Sequence, residues 1–138
     1  MFYSLILLTF LNPHGDGNSI VANSSALSFG GNYSTIESCE AAGKNTPEIL
    51  INTGASDLYF TGTYACFQTV NTETAGAWLQ VNKATQKEGL RFQVGSDSVT
   101  LAMADMSTCL SNIDAMRLIQ PDWKLDDPII IYGVCNTK

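Results

Sequence analysis

The feature that most constrains this 138-residue chain is the spacing of its four cysteines. Cys39 and Cys109 are 70 positions apart, and Cys66 and Cys135 are 69 positions apart, so the second pair repeats the first. A repeat of this kind indicates an internal duplication. The alternative is four buried cysteines whose spacing is accidental, because free cysteine is common in protein cores.

The residues around the first cysteine of each pair predict the start of a helix. Ser34 and Glu37 fit the S-x-x-E capping box, which places the first cysteine one turn into a helix. Asp105 or Ser107 can cap a second helix around the third cysteine. In that second helix, apolar residues at spacings of three and four positions form a face that a core would bury.

Several segments rich in apolar, β-branched and aromatic residues predict strands. They lie near residues 2–11, 26–30, 58–67, 77–84, 90–94, 98–103 and 129–135. The predicted fold class is α+β and strand-rich overall, with two similar small disulfide-stapled units, each an antiparallel sheet with one helix. The units cover residues 1–70 and 71–138, with a polar connection at 71–76 and a hairpin turn at 83–89.

Four cysteines allow three disulfide pairings. If the halves share a fold, the matched spacing selects Cys39–Cys66 and Cys109–Cys135, whereas cross-half pairs would have to join two separate cores. Each bond would contribute about 3–4 kcal/mol in the chain-entropy model. Disulfides also imply an oxidising destination, such as the cell exterior, a periplasm or a virion. Four free thiols would leave the duplication standing but would remove this argument.

The apolar stretch Phe2–Leu11 is about half as long as the roughly 20 residues that a membrane helix needs. Its length fits both a buried β-strand and the apolar part of an export signal. The strand is favoured, because the first Lys or Arg is Lys44 and the positive start of a signal peptide is missing. Phe2 and Tyr3 are candidate interface residues, since an exposed apolar strand would aggregate unless another surface covered it.

Composition argues against several classes of function. The net charge of -6 argues against a nucleic-acid partner, which would require a basic face. The single histidine, His14, cannot form a multi-histidine site and is expected in an exposed loop. The sequence contains no C-x-x-C pair and no phosphate- or dinucleotide-binding motif. We therefore predict no catalytic, cofactor-binding or metal-binding residues, no cofactor and no enzymatic activity.

Residues 49–60 resemble the active-site loop of aspartic proteases over about ten positions. Asn52 stands where that family has its catalytic aspartate, and an amide cannot share a proton with a partner carboxylate. No second D-T-G-like segment occurs in the chain. Residues 53–56 are therefore interpreted as a turn before a strand.

An acidic segment follows the second predicted helix. Asp122, Asp126 and Asp127 lie close together in it, but they lack the spacing of a calcium-binding loop, so a solvated loop is expected. Trp123, in the same segment, is a third candidate interface residue because tryptophan is enriched at binding anchors; the alternative is a side chain that covers the core.

The layout resembles a class of short uncharacterised proteins from bacteriophages and marine bacteria. Residues 1–8 match their apolar opening, residues 29–39 match an aromatic–serine stretch before a cysteine-containing helix, and residues 132–138 match a closing strand with a cysteine and a final lysine. This chain departs from the class by holding two such units. The resemblance implies a phage or environmental-bacterial source and a small stapled α+β unit, but no activity.

The favoured function is that of a non-enzymatic structural or interaction protein, most concretely a virus-particle component such as a capsid decoration or tail protein. Its expected partners are virion proteins or further copies of itself in a symmetric oligomer, without nucleic acid and without a membrane span. The predicted location is a virion or the cell exterior. The alternative is a secreted or periplasmic binding or inhibitory module, in which Phe2–Leu11 acts as the export signal.

Overall fold

The computed structural model describes residues 1–11, 21–45, 49–53, 56–85, 93–120 and 129–137; within these ranges, only the main chain is described for 21–24, 49–53, 56–60 and 93–96. In chain order the elements are β1 (Phe2–Leu11), β2 (Val21–Tyr33), α1 (Ile36–Asn45), β3 (Ile49–Thr53), β4 (Ser56–Thr69), a 3₁₀ turn (Thr72–Thr74), β5 (Ala77–Thr85), β6 (Gln93–Met103), α2 (Met106–Ile113), a 3₁₀ segment (Asp114–Leu118) and β7 (Ile129–Thr137). The predicted strand-rich α+β class is confirmed.

Both units have the same strand order. The first sheet runs β2-β1-β4-β3 and the second runs β6-β5-β7, with every paired strand antiparallel. In each unit the first strand is central, the second forms a hairpin with it, and a helix then leads to a strand on the other side. The first unit adds β3, and Thr53 and Ser56, the ends of the predicted turn, pair with each other where β3 meets β4; residues 54–55 lie outside the described residues.

The two units share one hydrophobic core, so the boundary at residue 70 separates repeats that pack against each other. Alternate residues of β1 face this core, because antiparallel partners place their side chains on one side of the sheet. The core combines Ile6, Leu8, Phe10 and Phe67 from the first unit with Leu79, Val81, Met103, Cys109 and Ile119 from the second. The predicted burial of the apolar N-terminal strand is confirmed, because Ile6, Leu8 and Phe10 are fully buried.

Both helices begin with a side-chain cap at the same distance from their cysteine. The backbone N–H of Ser38 donates to Thr35 Oγ1 at 3.1 Å, and the backbone N–H of Thr108 donates to Asp105 Oδ1 at 2.7 Å. Asp105 is therefore confirmed as a cap. The proposed capping by Ser34 was wrong by one position, because the hydroxyl that reaches the first turn belongs to Thr35.

A reciprocal change in side-chain size preserves the packing of helix on strand in the two units. In the first unit Gly43 of α1 lies against the ring of Tyr64 in β4. At the equivalent positions of the second unit, Ile113 of α2 lies over Gly133 in β7. In both units a large side chain therefore packs against a glycine. The glycine is on the helix in the first unit and on the strand in the second, and in each case it lets the helix lie close to the sheet.

A buried lysine joins the second unit to the edge strand of the first. Lys83, only 7% exposed, donates from Nζ to the carbonyl oxygen of Ser25 at 2.7 Å and forms an ion pair with Asp97 Oδ2 at 3.0 Å. The same carboxylate oxygen accepts the backbone N–H of Leu27 at 2.7 Å. The prediction that Lys83 begins a hairpin turn was wrong, because β5 continues to Thr85.

Candidate functional site

Each disulfide ties a helix to a later strand that pairs with the central strand of its sheet. Cys39 in α1 is bonded to Cys66 in β4, with a Cα–Cα distance of 6.2 Å, and Cys109 in α2 is bonded to Cys135 in β7 at 6.0 Å. The predicted pairing is confirmed. Two disulfides in a chain of this size are typical of proteins that fold in an oxidising compartment.

The C-terminal half of β4 lies at an open edge of the first sheet. β3 pairs with β4 only from Ser56 to Phe60, and no other described strand pairs with this side of β4 beyond that point. Asn112 Nδ2 donates to the carbonyl oxygen of Gln68, which shows that the peptide group of Gln68 points away from β1. Alternate residues of a strand point their N–H and C=O groups in the same direction. The peptide groups of Gly62, Tyr64 and Cys66 therefore also point away from β1.

A groove of about 510 Å³ runs along this open edge. One wall is formed by Ile36 and Glu40 of α1, and the opposite wall by Leu118 of the 3₁₀ segment. Ile36 is 38% exposed and Leu118 is 66% exposed, so both walls present apolar surface beside unpaired main-chain groups. We call residues 61–67 and these two walls the β4 edge.

The chemistry of the β4 edge favours an extended polypeptide over a small polar ligand. Residues 61–67 contain no charged residue and no proline, the features by which proteins usually protect a sheet edge from pairing. Two other edges in the described part of the chain, those of β2 and β7, are partly occupied. Lys83 and Asp97 bind the outer side of β2, and Gln120 Nε2 donates to the carbonyl oxygen of Ile131 in β7 at 2.6 Å.

A second cleft of about 380 Å³ lies between the first sheet and β6. Its inner end is a polar cluster in which Ser4 Oγ bonds to Thr69 Oγ1 at 2.8 Å and to Asn32 Oδ1 at 2.5 Å. Phe29, 50% exposed, and Trp78 contribute aromatic rings to its walls. The cleft thus combines aromatic surface with uncharged polar groups.

The structure describes two of the three sequence-predicted interface residues, Phe2 and Tyr3. Phe2 is half-buried and lines a cavity of about 400 Å³ with Asn32 and Glu73. Tyr3 is half-buried and lies opposite Tyr33 in the β1–β2 register. Trp123 lies outside the described residues, as do His14 and the acidic loop at 122–127. The roles of Phe2, Tyr3 and Trp123 as interface residues stay predictions.

Within the described ranges, no three His, Cys, Asp or Glu residues are grouped as metal ligands. Asn52 pairs with Asp57 in the β3–β4 hairpin. The pKa of Asp105 is held below its ordinary value by hydrogen bonds from the backbone and side chain of Thr108, which is the signature of a helix cap. In the described part of the chain, α1 has 10 residues and α2 has 8, which is too short for a helix that spans a bilayer.

Sequence reasoning missed the β4 edge and its two apolar walls. Ile36 and Leu118 carry no motif, and both look like ordinary helix residues in the sequence. The available signal was the uncharged run from Thr61 to Phe67. This uncharged run marks an open edge only if β4 lacks a neighbouring strand on one side. The order of strands in a sheet cannot be read from a short stretch of sequence.

Comparison with known proteins adds no relative: no family model, no curated protein and no solved structure matches the chain. The resemblance to short phage and marine-bacterial proteins therefore stays a prediction.

Proposed function

We propose that the protein is a non-enzymatic interaction protein that acts by protein–protein assembly, as a component of a virus particle such as a capsid decoration or tail protein. The observation that carries the proposal is the β4 edge. It offers a row of main-chain donors and acceptors between the exposed apolar side chains of Ile36 and Leu118. Addition of a strand to an open edge is a common mode of protein recognition.

The disulfides support a setting outside the reducing cytosol. They tie α1 to β4 and α2 to β7, and they are expected to stabilise a small chain by restricting its unfolded state. A particle component has to survive in such a setting. The resemblance of residues 1–8, 29–39 and 132–138 to phage proteins points in the same direction.

The second cleft favours a second candidate, a secreted or periplasmic binding module. Phe29 and Trp78 flank uncharged polar groups there, an arrangement that suits a ligand with both apolar and hydrogen-bonding faces. This candidate requires export. Because β1 is the central strand of the first sheet, Phe2–Leu11 has to stay in the mature protein. Recovery of the full-length protein from the medium or periplasm, and not with particles, would favour this candidate over the particle component.

The experiment is fractionation of particles from a culture that produces the protein. Particles are purified on a density gradient, and the protein is quantified by mass spectrometry relative to the major coat protein. The proposal predicts co-sedimentation at a constant ratio that persists after a high-salt wash. Recovery of the protein only in the slowly sedimenting soluble fraction would refute the particle role.

A further inference from the structure

We propose that the β4 edge binds a short extended segment of a partner protein, which adds to the first sheet as a strand in line with β3. The inference rests on the proposed function, because it names the form of partner that an assembly protein of this shape takes. The segment is linear, about six residues long, apolar at alternate positions and basic on one side.

The length of the segment follows from what bounds the open edge. At one end Ile49 of β3 already pairs with Phe60, and at the other Asn112 occupies the carbonyl oxygen of Gln68. Residues 61–67 lie between these limits. At about 3.4 Å per residue, this window accepts a strand of roughly 20 Å.

The form of the segment follows from the main chain. Gly62, Tyr64 and Cys66 each present an N–H and a C=O to the groove, so a partner needs the matching alternation of acceptors and donors. An extended polypeptide supplies that alternation at the correct repeat. β3 already pairs with the first part of β4 in this way, and the partner strand extends the same line of pairing.

A second copy of this chain does not fit the β4 edge when the two copies pair symmetrically about Tyr64, the centre of the open window. A twofold axis through Tyr64 would pair Gly62 with Cys66 of the other copy. The same register would place Gln68 of the other copy opposite Phe60, where Ile49 already pairs. A strand that ends inside the window avoids both Ile49 and Asn112, as a chain terminus or a short linear segment does and a long central strand does not.

The side chains of the segment follow from the two walls. Alternate residues of a strand point to opposite faces, so one set contacts Ile36 above the sheet and the other contacts Leu118 below it. Glu40 is the charged residue that lines the groove. It favours a basic side chain in the set that faces α1, in keeping with a protein whose net charge is -6.

The test uses the full-length oxidised protein and a phage-displayed library of random linear heptapeptides. Selected peptides are synthesised, and their dissociation constants are measured by fluorescence anisotropy. Leu118→Lys removes one apolar wall. Leu110→Lys is the matched control, because Leu110 is 56% exposed on α2 and does not line the groove. Each peptide is also made in two forms, N-methylated at its odd or at its even positions.

We expect peptides with alternating apolar residues, and we expect Leu118→Lys to weaken their binding by about tenfold or more while Leu110→Lys leaves it unchanged. A strand that pairs with one edge directs only every second N–H to that edge. One N-methylated form should therefore lose binding while the other keeps it, a signature that purely hydrophobic binding would not give.

The inference would be overturned by the absence of any enriched peptide, by equal binding to the Leu118→Lys variant, or by equal effects of the two N-methylation patterns. A dimer of the free protein that Leu118→Lys dissociates would also overturn it, in favour of self-association. Failure here is distinguishable from failure of the proposed function. A protein that co-sediments with particles but binds no peptide is an assembly protein that uses another surface.

Discussion

Replacing Lys83 with methionine should destabilise the protein by about 2 kcal/mol. The substitution keeps the length of the buried stem but removes the ammonium that bonds to the carbonyl oxygen of Ser25 at 2.7 Å and to Asp97 at 3.0 Å. Loss of one partner from a fully buried ion pair costs about 3–5 kcal/mol. The side chain of Asp97 is 32% exposed, so water partly replaces the lysine and the expected cost is smaller.

The assay is urea unfolding followed by circular dichroism, with thermal melting as a second measure. A loss of about 2 kcal/mol in a chain of this length corresponds to about 7 °C in Tm. Lys44→Met is the matched control, because Lys44 is an exposed lysine on α1 and should change stability by less than about 0.5 kcal/mol. A second variant, Lys83→Met with Asp97→Asn, leaves no unpaired charge and should cost less than the sum of the two single changes.

Two results would refute the reasoning. If Lys83→Met unfolds at the same denaturant concentration as the wild type, the ion pair does not join the two units. If the double variant costs as much as the sum of the single variants, Lys83 and Asp97 act independently, and the contact between β2 and the second unit has another origin.

Three further perturbations follow from the same structure. Burial acts to raise the pKa of Asp97, but hydrogen bonds from the Leu27 amide and Lys83 outweigh it and hold that pKa below its ordinary value of 3.8. The ionised carboxylate therefore stabilises the fold above pH 3.8, and this contribution is lost as the pH falls through the lowered pKa. The Asp97→Asn variant should show a flatter acid-unfolding curve in this pH range. Gly43→Ala should destabilise the protein by about 1–2 kcal/mol in urea unfolding, because the new Cβ would lie 2.6 Å from ring carbons of Tyr64. This cost is expected although alanine has the higher helix propensity. An unchanged urea midpoint would show that the Tyr64 ring moves aside freely. Reduction of both disulfides should remove about 3–4 kcal/mol per bond in the loop-entropy model, and a Tm that is insensitive to reductant would contradict the stapling role.

The features that sequence reasoning predicted correctly are those with a local or periodic signal. Cysteine spacing selected the disulfide pairing because a repeated unit places its cysteines at repeated distances. The cap at Asp105 was predictable because the carboxylate accepts a hydrogen bond from the backbone N–H of Thr108, only three residues later in the sequence. The cap of α1 was misplaced because Ser34 and Thr35 are adjacent hydroxyl residues and only the backbone geometry decides between them.

The features that it missed depend on strand order. Lys83 looks like the start of a polar turn, and it is buried only because the outer side of β2 from the other unit lies beside it. β3 was not predicted as a strand because residues 49–53 lead into a segment that favours a turn. The openness of the β4 edge follows from how far β3 extends along it, which is a property of the assembled sheet.

The most direct test of the central claim, that the β4 edge is unpaired and ready to accept a strand, is amide hydrogen exchange by nuclear magnetic resonance on the free protein. The structure predicts alternation along the strand: the amides of Tyr64 and Cys66, which point to the groove, should exchange at least about tenfold faster than those of Thr63 and Ala65, which face β1. Slow exchange at all four amides would contradict the claim, because it would mean that the edge is already paired in the free protein.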